Sequence, residues 1–88
     1  MYITIYGVKQ RVNQLIKEQI KFASDKFGNT NYNEEWLAIL GEEFGELTKA
    51  VNMVRLHPQG PPEQKDDIKR ELVQIMAVSL RWLNSIKD

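Results

Sequence analysis

Nine consecutive residues, Leu72-Val73-Gln74-Ile75-Met76-Ala77-Val78-Ser79-Leu80, are apolar almost all round any helix they form. A helix of that kind is surrounded by other structure on most of its sides. The chain has 88 residues, enough for one domain and too few for two. Three helices from so small a domain can hardly enclose the stretch, so a second subunit is expected to do so. The expectation is an all-α fold: a helical bundle of about three helices per chain, completed by oligomerisation into a core of the four-helix-bundle type. A monomeric three-helix bundle is the structural alternative.

Two stretches divide the chain. Gly28-Asn29-Thr30-Asn31-Tyr32-Asn33 is rich in turn formers, and His57-Pro58-Gln59-Gly60-Pro61-Pro62 holds residues that stop a helix. In the first segment Val8, Val12, Leu15, Ile16, Ala23 and Phe27 fall mostly on one helical face, with Gly28 as a natural cap. Residues 1–6 alternate loosely and fit either an extended strand or an extension of that helix. In the second segment Leu37, Leu40, Phe44, Leu47, Val51 and Val54 step by three and four, a seam that must face other helices. Asn33 is its expected N-cap, and Glu34 and Glu35 suit the positive end of the helix dipole. The third helix is expected to start near Pro62 and run to about Ile86.

Composition removes several classes of function. Twelve basic residues balance twelve acidic ones, which argues against a nucleic-acid binder. The absence of cysteine excludes disulfides, thiolate metal sites and thiol nucleophiles. His57 alone makes a poor start for a histidine relay or a multi-histidine metal site. The run Leu72–Leu83 is too short and too interrupted to span a bilayer, and no signal peptide is visible. A cytoplasmic domain without membrane contact is the expectation.

The charges are unevenly placed. Glu34, Glu35, Glu42, Glu43 and Glu46 fall within 13 positions, and the first basic residue of that helix is Lys49. With the apolar seam facing the core, Glu42 points to water, while Glu43 and Glu46 share a flank with Ile39, Ala50 and Met53. Carboxylates are seldom buried without a partner. The sequence offers no nearby cation, and Mg²⁺ prefers oxygens from a few carboxylates plus waters and phosphates. Glu71 and Gln74 repeat the spacing of three on the third helix. If that helix packs antiparallel to the second, Glu71 and Gln74 face Glu43 and Glu46 across the bundle. The plainer alternative is a solvated, Glu-rich surface.

The string Trp36-Leu-Ala-Ile-Leu-Gly-Glu42-Glu43-Phe-Gly-Glu46-Leu-Thr-Lys-Ala-Val51 resembles the MazG-type all-α nucleotide pyrophosphohydrolases. That family carries Glu-Glu-x-x-Glu on one helix and Glu-x-x-Asp on the next. The first motif is complete at Glu42, Glu43 and Glu46; the second reads Glu71-Leu72-Val73-Gln74, after a gap of 24 residues. The resemblance covers about residues 36–83 of a single domain, 1–88. It implies Mg²⁺, or Mn²⁺ in its place, held by Glu43, Glu46, Glu71 and the position of Gln74. It also implies cleavage of a nucleoside triphosphate to monophosphate and pyrophosphate, in a homodimer or homotetramer, as a housecleaning activity. Gln74 departs from the family's aspartate and removes one negative charge from the site. A nucleotide- and metal-binding helical dimer with little or no turnover is the alternative it leaves open.

A family-like mechanism places a metal-bound water in line with phosphorus and passes its proton to a carboxylate, Glu43 or Glu46. Arg81, on the Glu71/Gln74 stripe, and Lys21, on the first helix, are candidate phosphate contacts. Trp36 is a candidate base-stacking residue, with a core or interface anchor as its commoner role.

Overall fold

The computed structural model describes residues 6–86, so Met1–Ile5, most of the stretch left open by the sequence, lie outside it. The described residues form three helices and no strand: α1 (Gln10–Phe27), α2 (Asn33–Leu56) and α3 (Glu63–Ser85). None is long and apolar enough to cross a membrane.

The breaks act where the sequence places them. Gly28 ends α1 with φ at 73°, a left-handed value that glycine adopts without penalty, and its N–H donates to the Ser24 carbonyl at 2.9 Å. Pro62 stands just before α3, where its missing N–H costs nothing. The start of α2 differs by one residue from expectation. Tyr32, not Asn33, is the N-cap, because its backbone N–H is taken by Glu35 Oε1 at 2.8 Å. Asn33 is thereby freed for tertiary use, and its Oδ1 accepts from Trp82 Nε1 at 2.9 Å.

The three helices pack around α3. Helix α3 lies in the middle and packs on both others, while α1 and α2 do not meet. The Asn33–Trp82 bond joins the start of α2 to the end of α3, so those two run antiparallel. Helix α1 runs roughly parallel to α3: Val12 packs near Val73, and Gly28 lies at Arg81. The core between α1 and α3 is Ile16, Ile20 and Ala77, flanked by Val12, Val73 and Leu80. On the other side Trp36 is completely buried.

The apolar seam of α2 is therefore only half used. Leu40, Leu47 and Val54 are half-buried, on the same line as Trp36, whereas Leu37, Phe44 and Val51 are exposed. The physical reason is that a seam spaced by three and four fits between two neighbours, and within one chain α2 has only α3 beside it.

Candidate metal centre

Rotating α2 so that Trp36 is buried carries Glu43, seven residues on, to the line that faces α3. Glu43 is half-buried there, deeper than the flank expected for it. Its partner is Glu71 of α3, and the two carboxyls share a hydrogen bond. Burial first, then that bond and the negative charges of Glu71, Glu46 and Glu42, push the Glu43 carboxyl up from an ordinary value near 4.5 to about 7. Glu71 Oε2 is buried with no hydrogen-bond partner among the described residues. Such an oxygen gives up its hydration without return unless something else binds it.

Glu46 and Gln74 are not brought onto this pair. Glu46 stands on the flank, exposed, with Lys49 Nζ 3.4 Å from its Oε1. Lys49 is thus the nearby cation that the charge pattern did not credit. With Asp67, Arg70, Glu71, Ala50 and Met53, Glu46 and Lys49 line a cavity of about 230 Å³. Gln74 instead lines a groove of about 540 Å³ between α1 and α3, whose charges are mixed: Arg11, Lys69 and Arg70 with Glu18 and Asp66. The cause is angular. Three residues turn a helix by about 300°, so when Glu71 faces α2 squarely, Gln74 emerges on the edge of α3. Among the described residues no three carboxylate, histidine or cysteine side chains already converge to hold an ion.

Asp67 and Arg70, which sequence reasoning passed over, sit at this centre. Asp67 lies one turn before Glu71 and forms an ion pair with Arg70, and Arg70 lines both the cavity and the groove. The spacing Asp67-x-x-x-Glu71, one helical turn, was the available signal.

The candidate substrate contacts are placed elsewhere. Arg81 is 5% exposed; its Nε donates to Asn29 Oδ1 at 2.9 Å and its Nη2 to the Gly28 carbonyl at 2.7 Å. Its guanidinium lies over the Trp36 ring, 5.0 Å from the centroid. These contacts tie the α1–α2 turn to α3 and leave Arg81 no exposed fork for a phosphate. Trp36, fully buried, offers no face to a base. Lys21 pairs with Asp25 at 2.9 Å and lines a separate cavity with Ser24, Asn29 and Asn84. Arg81→Lys is expected to cost about 2 kcal/mol, read by urea unfolding, because an ammonium cannot reproduce two forked hydrogen bonds and a stacked plane.

No protein-family model, no curated protein and no solved structure matches the chain.

Proposed function

We propose that this chain is a Mg²⁺-dependent nucleoside triphosphate pyrophosphohydrolase of the MazG type, releasing pyrophosphate and a nucleoside monophosphate. The observation that carries the reading is the Glu43–Glu71 pair. Two carboxyls from the two motif helices are hydrogen-bonded to each other, and one of their oxygens is buried without a partner among the described residues. A divalent cation is the occupant that would satisfy that oxygen and displace the proton that Glu43 holds up to about pH 7.

The residues fit such an ion in part as they stand. Glu43 and Glu71 would hold it, and Glu46 would join by releasing Lys49, an exposed ion pair worth little. Gln74 brings an amide from the edge of α3 and no charge. When bound, Mg²⁺ neutralises polyphosphate and lowers the pKa of a coordinated water. The chain's own contribution is positional. Arg11 and Lys69 line the groove beside Arg70, alongside the acidic Glu18 and Asp66, and would meet phosphate oxygens there, while Phe22, exposed in it, offers a ring for a base. Its volume lies within the usual range for a small-molecule site. Glu46, the motif carboxylate that reaches solvent, lines the smaller cavity beside Glu71 and would accept a proton from a water held there.

The test is pyrophosphate release from a panel of ordinary and modified nucleoside triphosphates, with Mg²⁺ and with chelator. Metal-dependent release that is absent in Glu46→Gln is the expected result. If no triphosphate is cleaved but nucleotide still raises the melting temperature in the presence of Mg²⁺, the chain is a binding module. The lack of three converging carboxylates and the neutral Gln74 favour that second reading.

A further inference from the structure

Between the N-terminal halves of α1 and α3 a second concavity, of about 350 Å³, opens beside the larger groove. Its walls are aliphatic: Val12, Leu15 and Ile16 from α1, and Leu72, Val73 and Met76 from α3. Ile16 is 2% exposed, while Leu15, Leu72 and Met76 are 40, 48 and 38% exposed and line the same space. Exposed apolar side chains scattered singly are ordinary; three gathered round one concavity mark a contact site. Among the described residues no aromatic ring and no neutral hydrogen-bonding side chain lines it. Such walls suit an aliphatic chain and have no means of selecting a sugar or a base.

The rest of the lining is cationic. Lys9, Arg11 and Lys69 complete it, and no acidic side chain among the described residues joins them. None of the three has an ion-pair partner among those residues. The adjoining groove shares Arg11, Leu15, Lys69 and Val73 but adds Glu18 and Asp66, so an anion is favoured here more than there. Helix α1 adds to the field: it starts at Gln10, its first turn holds no acidic residue, and its N-terminal end is the positive end of its dipole. Twelve basic residues balance twelve acidic ones in the whole chain, so three unpaired cations at one concavity are a local arrangement.

We infer that this concavity binds a free medium-chain carboxylate, its alkyl tail between α1 and α3 and its head at Arg11 and Lys69. The walls select the tail, since an aliphatic chain removes the apolar surface of Leu15, Leu72 and Met76 from water. The cations select the head: a guanidinium fork matches the two oxygens of a carboxylate, and the Lys69 ammonium adds a second charge. From Lys69 to Met76 the helix rises by about 10 Å, the run open to the tail. Arg11 and Lys69 also border the groove proposed for the triphosphate, but the inference needs neither nucleotide nor metal.

Isothermal titration of the full chain with decanoate tests it, without nucleotide or metal and below the concentration at which decanoate forms micelles. Saturable binding of one decanoate per chain is expected. Hexanoate is expected to bind at least about thirtyfold more weakly, since each buried CH₂ contributes up to about fourfold. Decanol, which keeps the tail and lacks the charge, is expected to bind about fivefold more weakly, and so is decanoate to the Arg11→Gln, Lys69→Gln double variant. Lys26→Gln, in the last turn of α1, is expected to change nothing. The ligand series needs no variant, so it decides the matter even if the double variant folds poorly. Absence of binding, indifference to tail length, or equal affinity for decanoate and decanol overturns the inference. So does binding to vesicles of anionic lipid without binding of free decanoate, which makes the surface a membrane contact. Decanoate binding that is lost as the chain self-associates also overturns it and gives the concavity to a second copy.

Discussion

Replacing Glu43 by glutamine is expected to stabilise the protein at pH 8 by about 2 kcal/mol while abolishing metal-dependent pyrophosphate release. The two effects have one cause. Two carboxyls from facing helices are held together, and the structure raises the Glu43 pKa to about 7. Above that pH both are charged, half-buried and mutually repulsive. An amide at position 43 keeps a hydrogen bond to Glu71 without ever ionising. Its cost appears only with metal, because the same substitution removes a negative ligand. Urea unfolding at pH 8 and pyrophosphate release with and without chelator read the two halves separately. A variant that is less stable at pH 8 would show that the pair is not a source of repulsion.

The sign of the pH dependence follows. In the unfolded chain Glu43 ionises near pH 4.5; in the folded chain it holds its proton to about pH 7. Between those values the folded state binds more protons, so stability falls as pH rises, by about 1–2 kcal/mol once solvent screening of this part-exposed carboxyl is counted. Below pH 4.5 and above about pH 7 this group contributes no slope. Glu43→Gln is expected to flatten the profile of unfolding free energy across that window. Mg²⁺ is expected to release about one proton per chain at pH 6.5, measured in weak buffer, because it displaces the proton that Glu43 holds at that pH.

What was legible in the sequence was what local chemistry decides. Helix limits came within a residue or two, since Gly28, Pro62 and the acidic first turn of α2 act through their immediate neighbours. Glu43 and Glu71 were legible as partners, because spacing on two antiparallel helices nearly fixes which positions meet. The rotation of α2 was not. Periodicity defines an apolar stripe wide enough for two neighbours and does not say which half faces the chain's own helix. Trp36, wholly buried at the start of α2, settles that, and with it the deeper placement of Glu43 and the exposure of Phe44. The role of Arg81 was equally hidden. Its acceptors are the Gly28 carbonyl and the Asn29 side chain, more than fifty positions away, and a backbone carbonyl leaves no mark in a sequence. Gln74 was read as facing the carboxylates because the pattern treats a stripe of spacing three as one direction. On a helix packed from both sides, the 60° it departs is enough to turn it to the edge.

Trp36→Ala is expected to be the most damaging single substitution, costing about 3–5 kcal/mol, a large part of the total stability of a chain this size. The indole is wholly buried and fills the contact between α2 and α3 at the same end as the turn Gly28–Tyr32. Its loss leaves a cavity beside Arg81, whose guanidinium then lies over empty space instead of a ring. Trp36→Phe is expected to cost far less, at most about 1.5 kcal/mol, although it too removes volume. The reason is the indole nitrogen, which is buried with no acceptor among the described residues. A buried donor left unpaired carries a penalty of about 1–3 kcal/mol, and phenylalanine removes that penalty while keeping a ring under Arg81. Urea unfolding of the two variants at one pH separates the contributions. If Trp36→Phe proves as costly as Trp36→Ala, the indole N–H has a hydrogen-bond partner in the folded protein, and the contact with Arg81 depends on the full indole.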